Sequence, residues 1–333
     1  MYPFGPTMLR SGPKDPAVDP RMLERILSGD FRSVARLLTW VENEIPAATA
    51  YLRELFSYTG RCFVAGVTGP PGSGKSTLVD RLAAYYRVNG KRLGILAVDP
   101  TSPFSGGAIL GDRIRMQSRS VDPGTFIRSM ATRGHLGGLA RSTSDALLVL
   151  DAAGFDTVLV ETVGVGQDEV EIARTAHVTL VLLVPGMGDD VQAMKAGIME
   201  IGDIFVINKA DRPGVERVET QVKTLLSLSR RSDGWEMPVV RTIASEDAGT
   251  QECVQAIEKY RDFLRASEIQ KSRSVEVERE RLLDLVRSRS VQRLLVDQRM
   301  AAKLDELAQR VADRQVDPYS AAEELLRGLE VKL

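Results

Sequence analysis

Apolar side chains recur every three or four positions near the start of the chain, at Leu23, Ile26 and Leu27 and again at Val34, Leu37, Leu38 and Val41. That is the spacing of one helical face. Asp19-Pro20 fits a helix start, with Asp as N-cap and Pro at the first helical position. Gly29-Asp30 and Pro46 then divide the stretch up to Tyr58 into two or three short helices. At Arg61 the pattern changes. Short apolar runs at 63–67, 93–98, 157–160, 178–184, 204–207 and 238–243 alternate with amphipathic stretches at 76–87, 138–152, 191–200, 215–229 and 251–264. Strands alternating with helices predict an α/β fold with a mainly parallel central sheet flanked by helices. Ligands on such sheets bind at the carboxyl ends of the strands, so the loops there are where chemistry is expected.

After about residue 267 the strand signal disappears. Leu282, Leu285, Val286, Leu294, Leu295, Leu304, Leu307 and Val311 form a helical stripe among many charges, and Asp317-Pro318 opens a short final helix. The stripe fits either a solvated helix packed on the main domain or a dimerisation arm, and so much charge on an element with no domain of its own favours the arm. The expected organisation is a Pro-rich mobile arm at 1–18, an N-terminal helical segment at 19–60, an α/β domain at 61–266 and a C-terminal helical arm at 267–333.

Composition narrows the classes. Of 333 residues, 43% are hydrophobic and 27% charged, ordinary globular values. Lys and Arg total 44 against 45 Asp and Glu, a net charge of −1, which argues against a chain held on nucleic acid by a basic surface. Cys62 and Cys253 form neither a disulfide framework nor a CxxC pair, so a reducing, cytoplasmic compartment is expected. No apolar run approaches the roughly 18 residues of a membrane helix, and the start lacks the pattern of a signal peptide, so no membrane partner is expected.

The run Gly69-Pro70-Pro71-Gly72-Ser73-Gly74-Lys75-Ser76 matches the P-loop pattern G-x-x-x-x-G-K-[ST]. An apolar strand precedes it and a helix follows, which is the context of a P-loop NTPase, so Gly69 to Ser76 together with Thr77 are the expected nucleotide-binding residues here. Glycines allow backbone N–H groups to face phosphates, and the helix N-terminus adds its dipole. Lys75 is expected to reach the β- and γ-phosphates, and the Ser76 hydroxyl to bind Mg²⁺. Further on, the strand at 204–207 runs into Asn208-Lys209-Ala210-Asp211. A carboxylate at Asp211 can accept from guanine N1–H and the exocyclic amine, a donor pair that adenine lacks. Lys209 is expected to lie along the purine and Asn208 to tie this loop to the P-loop. The stretch Thr242-Ile243-Ala244-Ser245 ends the next strand, where a backbone N–H could meet guanine O6.

Carboxylates stand at two other strand ends, Asp99 and Glu161, with Asp112 between them, reached through Ser105-Gly106-Gly107, and Gly164 three residues beyond Glu161. Mg²⁺ takes oxygen ligands, a few carboxylates with phosphates and water. Ser76, Asp99, Asp112 and Glu161 are therefore the expected metal set, and Gly164 joins the nucleotide-binding set. Asp112 could equally cap the helix after it.

Several motifs, in order, resemble those of the MeaB/ArgK-type GTPases over about residues 20–330. They are Asp99-Pro100-Thr101-Ser102, Gly106-Gly107, Leu110-Gly111-Asp112-Arg113-Ile114-Arg115-Met116 and Arg133-Gly134-His135-Leu136-Gly137-Gly138. Glu161-Thr162-Val163-Gly164-Val165-Gly166-Gln167 continues the series, as does Pro185-Gly186-Met187-Gly188-Asp189-Asp190 with Gln192 and Lys195. Two positions depart: Thr101 stands where serine is common, and Ala244-Ser245 replaces the usual serine-glycine. The resemblance implies a homodimeric, Mg²⁺-dependent protein, related to the human methylmalonic aciduria type A protein, that hydrolyses GTP to GDP and phosphate. It would gate adenosylcobalamin loading and protect or reactivate a cobalamin-dependent acyl-CoA mutase of the methylmalonyl-CoA type. No Asp-x-His-x-x-Gly run exists in the chain to bind cobalamin, so that cofactor belongs to the partner.

In Ras-like GTPases a glutamine follows the DxxG glycine; here Val165 holds that place and Glu161 replaces the aspartate. Slow hydrolysis alone and acceleration by a partner are expected, with Lys75, Gln192 and Lys195 as catalytic candidates. By spacing alone, Gln192 and Lys195 read equally as exposed polar residues on a helix, and it is the resemblance that makes them a switch. Gln167, Arg113, Arg115 and Arg133 are weaker candidates. Two alternatives stand beside this reading. A nickel-insertion GTPase would carry a His-rich tract or a Cys site, whereas the chain has only His135 and His177. A P-loop kinase would need an acceptor pocket that the sequence does not locate.

Overall fold

The computed structural model describes residues 17–100, 122–132, 138–162, 175–186, 201–228, 231, 233–267 and 269–330. The chain divides into two compact units, Met1–Lys271 and Ser272–Leu333.

Three helices open the first unit: α1 (Pro20–Leu27), α2 (Phe31–Glu42) and α3 (Pro46–Phe56). Each start follows from local chemistry. Asp19 accepts from the Arg21 N–H ahead of Pro20, Asp30 accepts from both the N–H and the hydroxyl of Ser33, and Pro46 stands in the first turn of α3. The α/β part then runs β1 (Phe63–Thr68), α4 (Lys75–Val88), β2 (Leu93–Pro100), β3 (Thr125–Thr132), α5 (Gly138–Ala152), β4 (Thr157–Thr162), β5 (Val178–Leu183), β6 (Ile204–Asn208), α6 (Val215–Leu228), β7 (Val239–Thr242) and α7 (Thr250–Ala266).

The seven strands form one sheet in the order β3-β2-β4-β1-β5-β6-β7, with every pairing parallel. This is the P-loop NTPase architecture. Alternate residues of each strand serve opposite faces. Phe63, Ala65 and Val67 of β1 and Leu180 and Leu182 of β5 pack under α4 and α7. Val64 and the opposite faces of β2 and β4 pack under α1–α3 and α5, while Phe205 and Ile207 of β6 meet α6. Burial on both sides explains the continuous apolar runs. Each fully buried Leu or Ile contributes roughly 1.5–3 kcal/mol. The N-terminal helices thus complete one face of the sheet. Asp151 of α5 also accepts the N–H groups of Gly60, Arg61 and Cys62, clamping the junction into β1.

Strand β3 corrects the sequence reading, which placed no strand between 99 and 138. Phe126 and Met130 are buried, but Arg128 between them breaks the apolar pattern. Its charge is absorbed only in the fold, by an ion pair with Glu42 and a hydrogen bond to the Ala35 carbonyl, both on α2. An edge strand roofed by another element gives no continuous hydrophobic run.

The second unit is helical: α8 (Ile269–Val296), whose first residues precede the boundary, α9 (Gln298–Ala312) and α10 (Pro318–Glu330). Asp297 caps α9, Asp317 accepts from the N–H groups of Tyr319 and Ser320, and Lys303 pairs with Glu324 at 2.7 Å to join α9 to α10. Within this unit, Val275, Leu282 and Val286 of α8 are exposed. No helix among the described residues is long and apolar enough to cross a membrane.

Candidate nucleotide site

The loop 69–74 leaves β1 and ends where α4 begins at Lys75. Two glycines are required by close approach. Gly69 has φ +139°, and a Cβ there would strike the Leu182 carbonyl of β5; Gly74 has φ +93°, and a Cβ would strike the side chain of Asn208. Both neighbours lie more than a hundred residues away in sequence, so the loop takes its shape from the sheet.

Lys75 is buried, and its Nζ donates to the carbonyls of Gly69 (2.8 Å) and Pro70 (3.1 Å), which holds the cation over the loop. Ser76 Oγ donates to Glu161 Oε1 at 2.6 Å. The register explains this meeting, since Glu161 stands beside Val67 of β1 and Ala97 of β2, at the end from which the loop leaves. Next along β4, Thr162 donates to the Thr68 hydroxyl at 3.0 Å, a contact the sequence reading did not anticipate.

The second wall comes from β6 and β7. Asn208 is buried; its Nδ2 donates to the Ser73 carbonyl at 2.8 Å, and its Oδ1 accepts from Thr242 Oγ1 and the Ala244 N–H, both at 3.1 Å. Lys209 adopts φ +56°, an uncommon conformation for a side chain of this kind, and its Nζ donates to the Gly72 carbonyl at 2.7 Å. Asp211 is exposed on the turn that follows. After β7, residues Ala244–Glu246 form a single 3₁₀ turn. Arg81 of α4 reaches that turn, with Nε to the Ala244 carbonyl and a terminal nitrogen to the Ser245 carbonyl, both at 2.9 Å.

Gly69 to Thr77, Glu161, Asn208, Lys209, Ala244 and Ser245 are thus gathered along one end of the sheet. Backbone N–H groups at a helix N-terminus suit phosphate oxygens. A buried lysine beside them supplies a fixed positive charge, and a hydroxyl in contact with a carboxylate offers oxygen ligands of the kind Mg²⁺ prefers.

The sequence profile of methylmalonyl Co-A mutase-associated GTPase MeaB matches residues 34–321. The chain belongs to this family. A MeaB-family assignment agrees with its relatives: a Pyrococcus abyssi protein named as a GTPase is 47% identical over 310 residues, covering 92% of this chain and 95% of that protein. The GTPase ArgK of Escherichia coli is 34% identical over 314 residues, covering 89% and 95%. Among solved structures, the LAO/AO transport system kinase superposes with a TM-score of 0.70 at 24% identity over 95% of this chain and 100% of that one, which shows the shared fold.

For the MeaB-family site, Asp99 is the penultimate residue of β2, one position beyond Val98, which pairs with Thr162 of β4, so its backbone lies at the same end of the sheet as Glu161. Asp112, Gly164, Gln192 and Lys195 lie outside the described residues, as do Thr101, Arg113, Arg115, Arg133, Val165 and Gln167. Arg81 went unseen in the sequence, as did the bond that the Thr242 side chain makes to Asn208. Arg81 belongs to no short motif, and each side chain meets its partner only through the packing of distant elements.

Proposed function

We propose that this MeaB-family GTPase binds GTP with Mg²⁺ across the ends of β1, β4 and β6 and hydrolyses it slowly to GDP and phosphate. We further propose that it couples this cycle to an adenosylcobalamin-dependent acyl-CoA mutase of the methylmalonyl-CoA type, gating cofactor loading and protecting or reactivating the enzyme. The observation that carries the guanine reading is the three-way bonding of Asn208, which holds the loop bearing Asp211 against the P-loop. The family's association with methylmalonyl-CoA mutase supports the partner.

Ser76 and Glu161, with Asp99 and Asp112, would hold the Mg²⁺, which neutralises charge on the β- and γ-phosphates when bound. The chain's own contribution is positioning. The glycine loop and the start of α4 orient the phosphates, Lys75 adds charge at their far end, and Asp211 selects the base. Phosphoryl transfer needs little else from the protein. Gln192 and Lys195 are proposed to approach the nucleotide when the mutase binds. The helical arm 267–333 is proposed to dimerise, an assignment supported by the exposed Leu282 and Val286 of α8. The cytoplasm is the proposed compartment.

Calorimetry with GTP, GDP and ATP, followed by phosphate release with and without saturating purified methylmalonyl-CoA mutase, tests the proposal. Tight guanine-nucleotide binding, weak ATP binding and turnover accelerated by the mutase are expected. Equal ATP affinity would remove the base assignment, and a rate unmoved by the mutase would remove the partner.

A further inference from the structure

We propose that Arg81 is a positioning residue for guanine recognition, setting from α4 the direction of the Ser245 N–H and thereby making it the donor to guanine O6. The inference rests on the GTP reading above and adds the device that aligns its base-selecting end.

The argument starts from one peptide unit. The Ala244 carbonyl and the Ser245 N–H belong to the same planar, trans peptide, so they point in opposite directions. Arg81 Nε holds that carbonyl at 2.9 Å, which fixes the N–H to face away from α4. A second bond from the same guanidinium to the Ser245 carbonyl fixes the next peptide unit. The preceding unit is fixed from the other side, because the Ala244 N–H is committed to Asn208 Oδ1. Later N–H groups of the turn are also committed, Glu246 to the Ile243 carbonyl and Asp247 to that of Ala244. The N–H of Ser245 is therefore the backbone N–H of this turn that has no partner among the described residues.

A planar fork with several donors can hold two consecutive carbonyls at once, which a shorter or single-donor side chain does less well. Arg81 stands on the helix that begins at Lys75, so one rigid element carries both the phosphate end of the site and the brace for the base end. Orientation of the O6 donor is thereby locked to the P-loop rather than left to an exposed turn.

The test compares GDP, 6-thio-GDP, in which sulfur replaces O6, and IDP, which keeps O6 but lacks the 2-amine. The full-length wild-type chain should prefer GDP over both. In Arg81→Ala, GDP affinity should fall by about three- to tenfold, the size of one net hydrogen bond. The preference over 6-thio-GDP should collapse toward one, while the preference over IDP, read by Asp211, stays at the wild-type value. Arg81→Lys, with one donor group, should recover part of the lost preference. Arg81→Met, of similar reach but without a donor, takes the measurement if circular dichroism shows that the Ala variant does not fold. Weakening of all three nucleotides by one common factor would make Arg81 a fold residue only and overturn the proposal, as would an unchanged preference over 6-thio-GDP. A wild-type chain that binds no GDP would overturn the underlying reading and this inference with it.

Discussion

Asn208 donates to the Ser73 carbonyl at 2.8 Å, joining two loops 135 residues apart in the chain. The same side chain accepts from Thr242 and Ala244, so a residue only 2% exposed ties the P-loop to the turns after β6 and β7. Removing it leaves buried backbone groups without partners, which costs about 1–3 kcal/mol for each such group. Asn208→Ala should therefore lower stability in urea denaturation by at least that much and weaken GDP binding at least about tenfold in calorimetry. A variant as stable as wild type would show that water replaces these bonds without cost.

Asp211 is exposed on the turn after β6, free of the packing that constrains Asn208. Asp211→Asn should move the preference from guanine toward xanthine, because an amide can donate where xanthine carries a carbonyl. The measurement is the ratio of affinities for GDP and xanthosine diphosphate. If GDP affinity is unchanged and xanthosine diphosphate gains nothing, Asp211 has no part in reading the base.

Lys195 is the proposed charge stabiliser of the partner-activated state. Arginine fingers supplied in this manner are worth about 10³–10⁵ in rate, and the point charge of lysine should give less. Lys195→Ala should leave basal phosphate release and nucleotide affinity close to wild type, yet remove most of the acceleration by the mutase. Full stimulation of the mutant would send the search to Gln167, to Arg133 or to the partner.

Asp122 accepts from Arg87 at 2.6 and 2.9 Å and from the Gly124 N–H and Thr125 hydroxyl, joining the end of α4 to the start of β3. The Arg87 guanidinium holds its carboxyl well below the usual carboxylate range. A carboxyl whose folded-state value is depressed contributes stability that is fully present above its unfolded value, 3.8, and is lost as pH falls below it. Asp122→Asn should therefore lower the thermal midpoint near neutrality and narrow its gap to wild type between about pH 4 and pH 2. A gap that stays constant through that range would assign the effect to packing rather than to charge.

Much of this protein is written locally. The P-loop, the sequence Asn208 to Asp211 and Glu161 at a strand end are legible because each needs particular residue types at fixed spacing after an apolar run. The caps at Asp19 and Asp317 are legible because their partners lie two or three residues away. The fold class follows from the same periodicity, since strands buried on both faces must be apolar throughout. Tertiary structure alone decided the rest. Strand β3 carries Arg128 in its middle and becomes a strand only where α2 supplies Glu42 and the Ala35 carbonyl. Arg81 looks like any charged residue on a helix until β7 delivers the Ala244 and Ser245 carbonyls to it. Hydrogen bonds and ion pairs depend on distances of about 3 Å between groups that sequence separates by many residues. That proximity exists only once the sheet order has brought those groups together.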